Sequence, residues 1–336
     1  MQLNKKPIYI LGVGGLAHDA SACLMKDGEI IAACNEERFT RVKNQGGMPE
    51  KTINWCLDFA KIKIEDIDYV GFYYTWKQLL GLMFGHLKYF FTAPRFVRTK
   101  IYRLLTKLFD TMYLTHGKFK NFKPKRFIKV HHDLAHASSA YFNSSFDEAA
   151  IISIDLGNIA IYRGQGNKIE LLKRMGYPPI RIGMFYTLAT QYLGFYGGTD
   201  EYKVMGLSAY GKPDLYEKLK DILILKKDDV RLDLSYFESP LGKTGFSEKF
   251  RKIVGEQRQP NEKVEQRHSD LAYAVQRIFE DAMFYLTDMA YELTKSENLC
   301  LSGGSALNCL ANGKLLTSSK FKNVFVPPGV ADAGIS

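Results

Sequence analysis

The sequence lacks the patterns that mark secreted and membrane-spanning proteins. Its five cysteines are odd in number and widely spread, and they form no CxxC pair of the kind found in disulfide frameworks, redox centres and zinc sites. No run reaches the ~18 uninterrupted apolar residues of a membrane-spanning helix. The apolar run after the basic N-terminus is broken by Gly12, Gly14 and Gly15, so it is too short for a signal peptide. We therefore expect reduced thiols and a cytoplasmic location.

The amino-acid composition of the chain is not extreme either. Of the 336 residues, 46% are hydrophobic and 24% are charged, which is ordinary for a folded chain. This composition excludes disorder, a collagen-like chain and a coiled coil as the main interpretation. The length favours two domains, or one domain built from two lobes.

Positive charge is concentrated in one segment. Trp76 to Val130 holds 13 Lys and Arg against a single acid, Asp110, while the whole chain carries +10. The segment is also rich in Phe, Tyr and Leu, and Pro94 interrupts it, which predicts one or two amphipathic helices. The simplest interpretation is a helical insertion at about 76–126 with a solvated basic face. The alternatives are a membrane-surface contact through 76–130, a partner-protein surface or, less favoured, nucleic acid.

Hydrophobic patterning predicts the same order of elements twice. Each half begins with three strands and continues with alternating helix and strand, and Asp27-Gly28 between two apolar runs indicates a hairpin. The pattern predicts an α/β protein with the two-lobed actin/hexokinase/Hsp70-like ATPase fold and a nucleotide between the lobes. We expect the first lobe at 1–148 and the second at 149–336.

Two glycine-rich segments could contact an anion. The first, Gly12 to Ser21, lies between two predicted strands, where glycines let backbone N–H groups approach a ligand and His18 and Ser21 add donors. It could equally be a glycine-rich hairpin. The second, Ser302-Gly303-Gly304, joins a strand to a helix that we expect Ser305 to open. A helix N-terminus there would attract an anion, although a tight structural turn gives the same pattern.

Three of the seven histidines lie within six residues. On a helix, His132 and His136 are one turn apart and face the same way, which suits a shared metal ion. Carboxylates are the natural further ligands, and Asp155 and Asp332 each follow a predicted strand. A solvated or capping histidine cluster is the alternative.

Six stretches together carry a resemblance to a known family. They follow the family order along nearly the whole chain: Gly15–Leu24 (GLAHDASACL), Asn35–Arg41 (NEERFTR), His131–Phe142 (HHDLAHASSAYF), Glu201–Pro213 (EYKVMGLSAYGKP), Ser302–Lys314 (SGGSALNCLANGK) and Pro327–Gly334 (PPGVADAG). The chain thereby resembles the nodulation-type carbamoyltransferases, which transfer a carbamoyl group to a hydroxyl of sugars, antibiotics and related molecules. More distant relatives are the tRNA threonylcarbamoyl transferase subunit and the carbamoyl-transfer module of the hydrogenase maturation factor.

The resemblance implies a mechanism. In the family, a YrdC-like domain makes carbamoyladenylate from carbamoyl phosphate and ATP, and the two-lobed domain binds that adenylate at a metal. An acceptor hydroxyl then attacks the carbamoyl carbon and releases AMP. The acceptor is a small molecule, a sugar or a lipid-linked molecule.

Roles for individual residues follow from the same resemblance. The metal ligands would be His132, His136, Asp155 and Asp332, a set that suits Fe²⁺ best, with Mn²⁺ or Zn²⁺ as alternatives. His18 would be the catalytic proton donor or electrostatic stabiliser. Residues in three of these stretches would contact the nucleotide or carbamoyladenylate: Gly15, Ser21, Lys203, Gly303, Gly304 and Asn308. Lys203 and Arg41 would contact anionic or acceptor groups.

Two departures from the family pattern limit these expectations. The loop after Asp155 is short, which alters the backbone around one expected ligand. The sequence also ends at Ser336, where the family continues into a closing helix and the YrdC-like domain. We therefore expect a fragment, or a chain that works with a second polypeptide and does not make carbamoyladenylate by itself. The alternative function is a degenerate nucleotide-binding or regulatory module.

Overall fold

A computed structural model describes residues 6–15, 18–73, 126–155, 157–175, 181–238 and 245–336. The chain divides into two compact units, Met1–Ser139 with Pro328–Ser336, and Ala140–Pro327. The elements of the first unit are the strands β1 (Tyr9–Gly14), β2 (Ser21–Lys26) and β3 (Glu29–Asn35), the helices α1 (Glu37–Thr40) and α2 (Glu50–Ala60), the strands β4 (Tyr69–Tyr73) and β5 (Phe127–Val130), and the helix α3 (His132–Tyr141), whose last two residues belong to the second unit.

The second unit continues with three strands and then mainly helices. Its elements are β6 (Glu148–Ile154), β7 (Ile159–Gln165), β8 (Lys168–Met175), α4 (Ile182–Tyr192), α5 (Glu201–Leu207), α6 (Asp214–Leu219), β9 (Leu223–Lys226), β10 (Asp229–Leu232), α7 (Glu248–Val254), α8 (Gln266–Thr294), β11 (Asn298–Ser302), α9 (Cys309–Ser318) and β12 (Asn323–Phe325). Within the described residues, no helix combines the length and the apolarity needed to cross a bilayer.

The two units repeat one sheet plan. The first sheet has the strand order β3-β2-β1-β4-β5, and the second has the order β12-β11-β6-β7-β8. In each, the first strand pairs antiparallel with the next in a hairpin and parallel with a later strand. The predicted hairpin is present, since Asp27 and Gly28 both have positive φ between β2 and β3. The predicted order of strands and helices therefore corresponds to two α/β units, and each unit contains one mixed five-stranded sheet.

The division between the units differs from the boundary expected at residue 148. The first unit runs to Ser139 and also includes the final residues, Pro328–Ser336. These residues join it because Ile335 packs against Tyr73 and Ala135, and the backbone of Ser336 lies against Gly12 of β1. The predicted insertion at 76–126 lies almost wholly outside the described residues, so its helices and its membrane contact stay predictions.

The helix expected to begin at Ser305 begins later. Residues Gly304–Leu307 form a 3-10 turn, and α9 starts only at Cys309. Asn308 has a φ of −74° and a non-helical ψ of 88°, and its side chain accepts the backbone N–H of Ala311 at 3.0 Å. Asn308 is thus the N-cap of α9, because its amide oxygen satisfies a helix N–H that no preceding turn can reach.

Glu36 fixes the start of α2 from a distant part of the chain. Its buried carboxylate accepts the backbone N–H of Lys51 at 3.2 Å, the backbone N–H of Thr52 at 2.9 Å and the Thr52 hydroxyl at 2.8 Å. A carboxylate is favourable at a helix N-terminus because it meets both the free N–H groups and the positive end of the helix dipole.

We predict that Glu36→Ala lowers the free energy of unfolding by about 2 kcal/mol, because it leaves buried donors without an acceptor. Urea unfolding measures the change. Glu29→Ala, at an exposed position of β3, is the control and is expected to stay within about 0.5 kcal/mol of wild type. Equal stability of the two variants would contradict the anchoring role of Glu36.

His268 is a buried histidine in the first turn of α8. Its Nδ1 accepts the backbone N–H of Glu265 at 2.8 Å, so the neutral ring carries its proton on Nε2. Burial lowers the pKa of His268, and the charges of Arg267 and Arg258 lower it further against the opposing effect of Glu265. His268 therefore binds a proton at a lower pH in the folded chain than in the unfolded chain, where the histidine is protonated below pH ~6.5.

We predict that His268 makes the protein less stable as the pH falls. The stabilisation by the neutral ring is present above the unfolded pKa and is lost as the pH decreases below it. Urea unfolding at pH 7.5 and pH 5 is expected to show a larger loss for wild type than for His268→Gln. Carboxylates titrate in both proteins, so their contribution cancels in the difference. Identical losses would rule out this role.

Candidate metal centre and nucleotide turn

Helix α3 presents two imidazoles from one face. His132 and His136 are one turn apart, their ring centroids lie 4.7 Å from each other, and the rings meet edge to face. Both side chains are buried, and the Tyr73 ring packs against His132 at 5.1 Å. His131 turns away, and its Nδ1 accepts the backbone N–H of Asp133 at 3.3 Å. The i, i+4 spacing has therefore placed two ligand-type nitrogens together, as predicted from the sequence.

Asp332 meets these imidazoles from the far end of the sequence. Its Oδ1 lies 3.4 Å from His132 Nε2 and 3.2 Å from His136 Nε2. Burial raises the pKa of Asp332, but hydrogen bonding to the two imidazoles and their charge lower it by more, so the pKa lies well below its usual range. The carboxylate is thus held ionised beside two histidine nitrogens.

The three donors fit a divalent metal ion. Metal–nitrogen and metal–oxygen bonds of about 2.0–2.2 Å place neighbouring ligand atoms about 3.0–3.4 Å apart, close to the spacing seen here. All three residues are buried, and their donor atoms are among those close enough together to hold one ion. Imidazole with carboxylate suits Fe²⁺, Mn²⁺ and Zn²⁺, and this donor set does not distinguish among them.

His18 lies near this cluster in the first unit, and Ser21 lies beside Gly14 at the start of β2. His18 Nε2 is 3.7 Å from Asp332 Oδ2, and its Nδ1 is 2.8 Å from the carboxylate of Asp19. The Ser21 hydroxyl is buried and, among the described residues, has no hydrogen-bond partner. Gly15 has a φ of +72°, and a Cβ there would overlap the backbone of Asp19. The loop after β1 therefore needs glycine at this position.

In the second unit the structure brings Asp155 together with the Gly303-Gly304 turn. Strands β6 and β11 are parallel neighbours, so their carboxyl ends meet at one edge of the sheet. A Cβ on Gly304 would lie 3.6 Å from Asp155 Oδ1. The backbone N–H of Asp155 donates to Asn158 at 2.9 Å, which closes the short loop noted in the sequence.

Lys203 is paired locally, and Arg41 ends a short helix. The Lys203 ammonium pairs with Asp200 at 2.9 Å, and it lies 5.8 Å from the centres of two aromatic rings, those of Phe195 and Tyr202. Arg41 is the left-handed C-cap residue of α1. Their expected contacts with nucleotide or acceptor stay predictions.

Sequence reasoning missed a buried polar pair on α8. Gln276 and Glu280 are one turn apart on the buried face of α8, where most residues are apolar. Gln276 pairs with Asn308, and Glu280 pairs with Lys314 of α9 at 2.6 Å. Two polar residues at i, i+4 spacing on the core side of an amphipathic helix were the signal that could have revealed them.

The fold belongs to the ATPase-fold class, and the donor cluster in its first unit is a candidate metal site. The structure resembles full-length HypF crystallised with phosphate and nucleotide, with a TM-score of 0.50 and 13% sequence identity, covering 99% of this chain and 46% of HypF. The likeness confirms the predicted actin/hexokinase/Hsp70-like fold class. At this identity it shows the fold alone.

The family follows from the sequence comparison. The carbamoyltransferase N-terminus family matches residues 9–336, so the chain belongs to that family, as the resemblance predicted. An uncharacterised protein of Synechocystis is 37% identical over 97% of this chain and 55% of its own length. The nodulation protein NolNO of Sinorhizobium fredii is 33% identical over 94% of this chain and 45% of its own length. The chain spans about half the length of the curated relatives it matches.

Proposed function

We propose that this chain is the metal-binding, acceptor-side domain of an O-carbamoyltransferase. The observation that carries the proposal is the buried His132, His136 and Asp332 cluster in a chain of the carbamoyltransferase family. The proposed donor is carbamoyladenylate made from carbamoyl phosphate and ATP by a YrdC-like domain. The proposed acceptor is a hydroxyl of a small molecule, a sugar or a lipid-linked molecule, and the proposed setting is biosynthesis in the cytoplasm.

The metal ligands would be His132, His136 and Asp332, with Asp155 as the fourth on the strength of the sequence resemblance. A bound divalent ion, Fe²⁺ in our proposal, would supply Lewis-acid polarisation of the carbamoyl and phosphate oxygens. The chain's own part is to keep Asp332 ionised and to hold both imidazoles in one orientation. Burial of the cluster excludes bulk water from these donors.

The adenylate would bind at the glycine turns. The Gly303-Gly304 turn would place a phosphate beside the 3-10 turn Gly304–Leu307, which leads to the first turn of α9 at Cys309. In the first unit, Ser21 offers a buried hydroxyl beside Gly14, with 3.1 Å between the Ser21 oxygen and a Cβ built on Gly14.

The proposed transfer step is a nucleophilic attack on the carbamoyl carbon. The acceptor oxygen bonds to the carbamoyl carbon, the bond from that carbon to the phosphate oxygen breaks, and AMP leaves with the electron pair. The proton of the acceptor hydroxyl must move to a base. Asp19 accepts the Nδ1 proton of His18 at 2.8 Å, a geometry that favours the tautomer with Nε2 as the proton acceptor. We propose that the proton passes to His18 Nε2, a base role in place of the proton-donor or electrostatic role that the resemblance implied.

The test supplies the metal-loaded chain with enzymatically generated carbamoyladenylate and a panel of hydroxyl acceptors. The expected result is metal-dependent release of AMP together with transfer of labelled carbamoyl to one acceptor class. His18→Ala is expected to slow transfer by roughly 100-fold or more while the adenylate still binds. Binding without transfer to any acceptor would favour the alternative of a degenerate nucleotide-binding or regulatory module, which the short loop after Asp155 suggests. Absence of both binding and transfer would overturn the proposal.

A further inference from the structure

The inner face of α8 carries a buried amide that is fully hydrogen-bonded. Gln276 Oε1 accepts the Tyr186 hydroxyl at 2.9 Å and the Asn308 amide at 2.9 Å. Gln276 Nε2 donates to Asn308 Oδ1 at 3.1 Å and to Glu280 Oε1 at 2.9 Å. Both hydrogens and both lone pairs of the Gln276 amide are therefore used, which fixes the orientation of this side chain.

The partner amide is the N-cap of α9. Asn308 Oδ1 accepts from Gln276 and from the backbone N–H of Ala311, and its Nδ2 donates back to Gln276. This reciprocal pair leaves one N–H of the Asn308 side chain for any other partner. The residue that ends the Gly303-Gly304 segment is thus held by α8 as well as by its own helix.

A second link ties the same two helices together. The carboxylate of Glu280 is fully buried, and besides Gln276 it accepts from Lys314 at 2.6 Å and from Arg277 at 2.9 Å. Lys314 lies on α9, six residues after Asn308. Helix α8 therefore holds both the cap and the second turn of α9, and its long apolar face is otherwise packed in the core.

We propose that Gln276 is a positioning residue for phosphate binding at the Gly303–Asn308 turn. Phosphate recognition by a helix N-terminus requires that the free N–H groups point at a fixed place, and the cap residue sets that direction. Through Asn308, Gln276 holds the cap without touching the ligand itself. The inference rests on the proposed function, because it assumes that an adenylate uses this turn.

Calorimetric titration of the chain with AMP and with adenosine tests the inference. Wild type is expected to bind AMP more tightly than adenosine, since only AMP offers a phosphate to the turn. Gln276→Met keeps the length of the side chain but removes its amide, and it is expected to weaken AMP binding about tenfold with little change for adenosine. A general loss of structure would weaken both ligands together, so the AMP-to-adenosine ratio separates positioning from folding.

Two further variants complete the design. Thr287→Val, the matched control, removes a buried hydroxyl of α8 that donates to the carbonyl of Met283 in the same helix, and should leave the ratio unchanged. Tyr186→Phe removes one donor to Gln276 and is expected to lower the ratio about threefold, which keeps the test valid if Gln276→Met fails to fold. An unchanged AMP-to-adenosine ratio in the Gln276 and Tyr186 variants would overturn this inference but not the proposed function. If wild type binds AMP no better than adenosine, the proposed phosphate site fails as well.

Discussion

Anaerobically purified protein is expected to hold about one divalent ion per chain, and the His132→Ala/His136→Ala variant is expected to hold none. Two buried nitrogens lie within 3.4 Å of one carboxylate oxygen, so their removal takes away two of the three donors in the first unit. Elemental analysis of the purified chains measures the ion. We expect metal affinity to fall by at least about 100-fold.

His131→Ala is the matched control for this prediction. It removes a histidine from the same short segment, but its ring is partly exposed and bonds to the backbone of Asp133, away from the cluster. The control should keep its metal. Asp332→Asn keeps the shape of the third ligand and loses its charge, so it should bind metal between about 10-fold and 100-fold more weakly. Equal metal content in wild type and the double variant would refute the metal centre.

The second large effect is expected at Gly303. Its φ of +89° and ψ of 160° belong to a region that only glycine adopts readily, and a Cβ would overlap the carbonyl oxygen of Ile154. Gly303→Ala must therefore shift the backbone of β6 or strain its own. We expect the free energy of unfolding to fall by about 3–4 kcal/mol, measured by urea denaturation.

Gly313→Ala is the control on the adjacent helix, and we expect it to change the free energy of unfolding in the opposite direction. Gly313 lies inside α9, and a Cβ there would meet no atom within 4 Å. Alanine favours a helix, so this variant should be about 0.5–1 kcal/mol more stable than wild type. Gly303→Ala with wild-type stability would mean that the turn relaxes, and that Gly303 is not needed for the backbone path beside Ile154.

The sequence predicted the local structure well where one strong signal controls it. Asp27-Gly28 defined the hairpin because both positions need positive φ. The spacing of His132 and His136 defined their common face because a helix repeats every 3.6 residues. The predicted start of α9 was wrong by a few residues. Ser305 has the right chemistry for a cap, but the Gly303-Gly304 turn winds into a 3-10 segment first, and Asn308 takes the cap.

Long-range contacts were beyond the reach of local patterns. Glu36 and Thr52 are separated by 15 residues, and nothing in their local sequence shows that a carboxylate after β3 caps α2. The pairing of Gln276 with Asn308 is equally hidden, because any amide on α8 could face another neighbour. Such contacts depend on where the sheets place whole helices, and helix placement follows from packing over the entire unit.

The sequence by itself determined the fold class, the family and the candidate ligands, since each depends on residue types in a fixed order along the chain. The tertiary structure decided that Asp332 joins His132 and His136, almost 200 residues earlier, because the final segment packs back onto the first unit through Ile335. It also decided that Asn308 is a cap held by Gln276. Both outcomes depend on three-dimensional proximity, which periodicity and spacing along the chain do not encode.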